Sequence, residues 1–227
     1  MAFAPFSFEA GSGPHRRLGY LLHVPEGRPE GAPDWPLVLF LHGSGERGGD
    51  LELVKREGLP RVVEREASFP LAVVAPQCPE REAWYRYPRT LIALLDHVLA
   101  SRPVDPARVY LTGMSMGGYG VWGLAARFPR RFAAIAPVCG GGLRSQGFPD
   151  KLKALKDVPI WAFHGARDEI VLPEESQRLV DLLRAIGGDV RFTLYPDLAH
   201  DSWTRTYQDP ALYAWMLSHR LRDGAAG

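Results

Sequence analysis

The chain has 227 residues, 46% hydrophobic and 23% charged, with a formal net charge of +1 at pH 7. That length can bury a substantial core in one domain, and acids interspersed among the arginines leave no basic face for nucleic acid or an anionic membrane. The opening residues lack the basic start and continuous apolar core of a signal peptide, and no apolar run reaches the roughly 18 residues of a membrane span.

In chain order, Leu18–Val24 reads as a strand that stops at Pro25, and Glu26–Pro36 as a polar surface loop. Leu37–Leu41 is an unbroken apolar run, the pattern of a parallel strand covered on both faces. The glycine-dense HGSGERGG that follows suggests a backbone that must approach something closely. Leu51–Arg56 and Gly58–Arg65 predict short helical pieces, Leu71–Ala75 a second buried strand, and Glu80–Tyr87 an aromatic, charged loop. Arg89–Ala100 carries Leu91, Leu94, Leu95 and Val98 at helical spacing.

Arg108–Thr112 predicts a strand and Tyr119–Phe128 a helix that stops at Pro129. Between them lies Gly113-Met114-Ser115-Met116-Gly117-Gly118. Phe132–Val138 is a further strand, Cys139–Pro149 a loop, and Asp150–Lys156 a short exposed helix. Pro159–Phe163 is the next strand and Pro173–Ile186 a long helix with proline in its first turn. Val190–Tyr195 closes the sheet. Ala199–Tyr207 and Pro210–Leu221 supply terminal helices, and a frayed tail runs from about Asp223. Strands alternating with helices over 1–227 predict a single α/β domain, with a mostly parallel central sheet, helices on both faces and no large lid.

The G-x-S-x-G between strand and helix is the pattern of a nucleophile elbow. A small residue on each side lets the turn be sharp, and the next helix aims its amino-terminal dipole at the Ser115 hydroxyl. A serine needs a neutral imidazole beside it, held by a third group. His200, in a loop after the last strand, is the candidate base. His97 and His219 fall on helix surfaces, and His15 and His23 lie by the amino-terminal strand. Asp168, directly after Pro159–Phe163, is the candidate orienting acid, with Glu169, Glu174 and Asp201 as rivals. Glu169 would point elsewhere, and Asp201 is too close in sequence to brace His200. The order Ser115, Asp168, His200 is that of an α/β-hydrolase triad.

An oxyanion requires donors. The backbone N–H of Met116 and that of Ser44 are the candidates, with Gly43 leaving room for substrate and His42 packing beneath the site. Trp84, Tyr85 and Tyr87 either wall a pocket or cover the core edge. Glu46 either meets a substrate cation or ties down its own loop through Arg47 or a backbone N–H. Gly141, in the Gly140–Gly142 run, either lets substrate lie against the backbone or serves a turn. Cys78 and Cys139 adjoin strand ends and read as free buried thiols, which points to a cytoplasmic setting. No ligand spacing for a metal appears, and the HGSGERG stretch lacks the Lys-Ser/Thr ending of a phosphate loop.

Together, Leu41–Glu46, the Gly113–Gly118 elbow, the His164-Gly165-x-x-Asp168 pair and His200 resemble the α/β-hydrolase superfamily. The likeness is to its compact phospholipase/carboxylesterase and prolyl-oligopeptidase-like members. Val74–Pro79 followed by Trp84, and Ala125–Pro129, fit the same group. The resemblance spans Leu18–Leu217 and implies Ser115 as nucleophile, Asp168 as acid and His200 as base; no cofactor is expected. The expected function is hydrolysis of small carboxylic esters, with water as the second substrate. Thioester or peptide cleavage by the same groups, and a non-catalytic binding protein on the same fold, are the alternatives. Oligomeric state is not readable from the sequence.

Overall fold

The computed structural model describes residues 2–12, 15–27, 30–66 and 68–221; the tail expected from about Asp223 lies outside them. The strands are β1 (Ala4–Glu9), β2 (Arg17–His23), β3 (Trp35–Leu41), β4 (Ala72–Pro76), β5 (Val104–Met114), β6 (Ala134–Val138), β7 (Ile160–Gly165) and β8 (Val190–Tyr195). They form an eight-stranded sheet in the order β1-β2-β4-β3-β5-β6-β7-β8. β1 and β2 pair antiparallel to each other, and β2 antiparallel to β4, while every later pair is parallel.

The helices are α1 (Gly58–Arg65), α2 (Pro88–Ser101), α3 (Met116–Arg127), α4 (Glu174–Ala185), α5 (Trp203–Gln208) and α6 (Pro210–Leu217). Apolar residues alternate along the central strands and build two cores. Leu37, Leu39 and Leu41 of β3 face one with residues of α2, α3 and α4. Val38 and Phe40 face the other with residues of α1, α5 and α6. A strand covered on both faces must be apolar throughout, which is why β3 carries no polar side chain.

Several expectations shift. β1 was not expected: Pro5 interrupts its pattern, yet an edge strand tolerates proline, and Phe6 and Phe8 pack on the core. α3 begins at Met116, three residues before the predicted start. α5 begins at Trp203, leaving His200 on the preceding loop. Asp150–Leu155 is a 3-10 turn that buries Leu152 and Leu155, so the predicted exposed helix is neither α-helical nor free of the core. His219 is half-buried, not exposed, with its ring against Trp215 at 5.0 Å.

Candidate active site

β5 ends at Met114 and α3 starts at Met116, so Ser115 alone turns the chain, with φ 54° and ψ −117°. A non-glycine residue there stores strain, and the surroundings hold it: the Ser115 N–H donates to Val138 O at 3.0 Å. Two neighbouring glycines make room. A Cβ on Gly113 would stand 2.5 Å from Leu41 O, and one on Gly117 1.9 Å from the same oxygen. α3 is thus pressed directly on the end of β3.

The side chains expected to work together do meet. His200 Nε2 lies 2.9 Å from Ser115 Oγ, and His200 Nδ1 lies 2.7 Å from Asp168 Oδ2. Each comes from a loop at the carboxyl edge of the sheet, where ligands collect in open α/β sheets. Asp168 Oδ1 accepts from the N–H groups of Ile170 at 2.9 Å and Val171 at 3.0 Å. Burial alone would raise the Asp168 carboxyl, but the His200 hydrogen bond and these two N–H groups hold it below the ordinary aspartate value. With Asp168 ionised, Nδ1 of His200 keeps its proton and Nε2 is left to accept from the serine. The His200 ring also stands edge-on to Trp203 at 5.2 Å.

His164 is the residue that sequence reasoning left without a role. It is fully buried, with Nε2 2.8 Å from Val171 O and 3.2 Å from Asp168 Oδ2. Its Nδ1 lies 2.7 Å from Ser176 Oγ, whose hydroxyl donates to Gly140 O at 2.6 Å. The ring ties the acid's loop to α4 and to the glycine run after β6. Its spacing of four residues from Asp168 at a strand's end was the available signal.

Met116 and Ser44 are each the first residue of a helical turn, α3 and a 3-10 turn over Ser44–Glu46. The first N–H of a helix has no acceptor within it, so neither candidate donor is spent inside its own turn. Gly43 stands close beside the nucleophile: a Cβ there would sit 3.7 Å from Ser115 Cβ. His42 packs beneath, as expected. Its Nδ1–H donates to Gly43 O at 2.6 Å, and its Nε2 accepts from the Cys78 N–H at 2.9 Å.

Arg47 does not pair with Glu46. It secures the loop by donating to Ser44 O and Glu82 O. Among the described residues no hydrogen bond of full geometry reaches the buried Glu46 Oε2, which lies 3.9 Å from His42 Nδ1; burial raises the carboxyl, opposed by the nearby Gly43 N–H.

A hollow of about 260 Å³ opens beside Met116, lined by Trp84, Tyr85, Tyr119, Gly120, Leu143 and Gln146 among others. Trp84 serves two ends, since its ring is buried and its Nε1–H donates to His42 O at 2.9 Å. Tyr87 is corrected: it is buried in the core, edge-on to His15, and does not line this hollow. Gly141 is likewise not in the wall; a Cβ there would meet Glu175 and Tyr119. Ser115, Asp168 and His200 do not line this hollow, but it includes the residue next to Ser115. Larger hollows of about 470 Å³ against α1, α5 and α6, and about 600 Å³ by Pro159 and His219, include none of the three and no residue adjacent to Ser115.

The one trio of possible metal ligands found among the described residues is Cys139, Asp168 and His200. Asp168 and His200 already engage each other, and burial pushes the Cys139 thiol up to about 12, so the trio lacks the free anionic donors a cation needs.

The sheet, the strained turn and the three side chains at its carboxyl edge define an α/β-hydrolase. The chain belongs to the phospholipase/carboxylesterase family, whose sequence profile matches residues 63–213. It is 25% identical over 213 residues to a probable carboxylesterase of Oryza sativa subsp. japonica, covering 82% of this chain and 89% of that one. It is 29% identical to the putative esterase NocK of Nocardia uniformis subsp. tsuyamanensis, over 68% of this chain and 46% of the relative. Among solved structures, a thermostable esterase superposes with a TM-score of 0.81 at 34% identity, covering 96% of this chain and 63% of that one. The chain spans less than half the length of the first curated relatives it matches.

Proposed function

We propose that this chain is a serine carboxylesterase acting on small carboxylic esters through an acyl-enzyme, with the described sheet and helices as its catalytic unit. The observation that carries the reading is the unbroken line from Ser115 Oγ through His200 to Asp168, at 2.9 and 2.7 Å. As Ser115 Oγ attacks the ester carbonyl carbon, His200 Nε2 takes the hydroxyl proton, and the imidazolium is stabilised by ionised Asp168. The carbonyl oxygen becomes an oxyanion, met by the N–H groups of Met116 and Ser44. When the tetrahedral species collapses, the bond to the leaving oxygen breaks and His200 returns its proton to the departing alcohol. A water then repeats the sequence, giving its proton to His200, and releases the acid and free Ser115.

Membership of a carboxylesterase family and likeness to proteins named as esterases support ester hydrolysis. The hollow beside Met116 supports an apolar group next to the reacting carbonyl. The test is hydrolysis of p-nitrophenyl acetate by the wild type and by Ser115→Ala. The variant is expected to lose at least about a thousandfold in kcat with its circular dichroism spectrum unchanged; equal rates would remove Ser115 from the mechanism.

A further inference from the structure

The hollow beside Met116 has a neighbour along α3. Trp84, Tyr85, Gly120 and Gln146 also line a second, adjoining one of about 150 Å³, whose lining includes Gly123, Leu124, Arg127 and Lys151. The floor of both is one face of α3: Met116, Gly120, Gly123 or Leu124, and Arg127 recur at helical spacing. Glycine at 120 and 123 lets the walls lie low, for a Cβ would stand 2.9 Å from Trp84 Cβ at the first and 1.9 Å from Gln146 Oε1 at the second. Eleven helical steps lead from Met116 to Arg127, a run of about 16 Å at 1.5 Å per residue.

The two ends differ in chemistry. Next to Met116 the lining is aromatic and aliphatic, with Gln146 as its one amide side chain. At the far end stand two cations, and among the described residues no carboxylate lines either hollow. Among the described residues neither Arg127 nor Lys151 has an ion-pair partner; Arg127 only overlies the Phe128 ring at 5.8 Å. Two exposed cations with no carboxylate among the described lining residues, at the far end of a path that starts beside Met116, the residue after Ser115, have the charge to receive an anion.

Building on the esterase reading, we propose that the trench over α3 takes a long apolar arm of the ester that ends in a carboxylate, which Arg127 and Lys151 receive. The substrates it favours are half-esters and ω-carboxyl esters, in which the terminal acid lies well removed from the scissile bond. Short esters occupy only the first hollow and are indifferent to the cations.

The experiment compares kcat/KM for p-nitrophenyl acetate, p-nitrophenyl dodecanoate and the mono-p-nitrophenyl ester of dodecanedioic acid. The acid-ended ester is expected to exceed the methyl-ended one roughly three- to tenfold at low salt, as two exposed ion pairs allow, and the margin should narrow as salt is added. Arg127→Ala/Lys151→Ala should erase that margin while acetate hydrolysis is unchanged, which also reports that the variant is folded. Arg127→Glu/Lys151→Glu should reverse it, disfavouring the acid-ended ester.

No preference in the wild type, or a preference that survives both double variants, overturns the proposal. Failure of the wild type to hydrolyse even the acetate overturns the esterase reading instead. The trench is then read by calorimetric titration of the Ser115→Ala protein with dodecanedioate and dodecanoate. Tighter binding of the diacid, abolished by the double variant, sustains the trench, and equal binding overturns it.

Discussion

His42 has both ring nitrogens committed while neutral: Nδ1–H to the Gly43 carbonyl, and Nε2 to the Cys78 N–H. A second proton would face that N–H in a fully buried position, and burial accordingly lowers the ring to about 4. An unfolded histidine titrates near 6.5. Between those values the unfolded chain binds the extra proton, so stability rises with pH through the window and is lost as pH falls from about 6.5 to about 4. Across that whole window His42 accounts for up to about 3 kcal/mol. Urea unfolding at pH 7.5 and pH 5.0 should show wild type losing more stability than His42→Gln, which begins less stable; parallel losses would contradict the assignment. Asp168 adds to the acid limb below this, because its lowered carboxyl contributes stability at neutral pH that is lost as pH falls through its folded value. Ser115, Asp168 and His200 could be read from the chain because each sits in a local pattern at a strand's end. Tyr87 and Gly141 could not, since which way a loop side chain points is decided by what packs on it.

At the scale of elements, the turn from β5 into α3 is built on backbone touching backbone. Gly117 has no space for a methyl group, with Leu41 O 1.9 Å from where Cβ would be. Gly117→Ala must therefore push α3 off β3, at a cost of about 1–3 kcal/mol or more. In a protein of this size that lowers the melting temperature by roughly 2–12 °C, and the Met116 N–H moves with the helix. Calorimetry and p-nitrophenyl acetate turnover should fall together; an unchanged melting temperature would mean the helix already has slack. The same glycines explain why the helix start was misplaced. Gly117 and Gly118 have poor helix propensity and read as loop, but they are helical here because close approach to β3 and β6 outweighs propensity. β5 was underestimated for a related reason, as Pro106 interrupts the pattern near its start.

Across the whole molecule, the order of strands brings three distant loops to one rim, and that much was legible: alternating strand and helix patterns, with apolar runs for the inner strands, left little choice but a parallel sheet. What the chain did not disclose was its margin. β1 was hidden by its proline, and the trench over α3 arises only when Trp84 and Gln146, more than sixty positions apart, lie across the same helix. The two cysteines sit deep on this sheet's edge loops, both fully buried and both with thiols pushed up to about 12. Thiolates are the reactive form, so in native protein at pH 8 neither should yield to iodoacetamide. Cys78 and Cys139 then act as a built-in clock: each alkylation event records one opening of the molecule, and mass spectrometry over hours should show both positions labelled at one shared rate, slowed by whatever ligand slows unfolding.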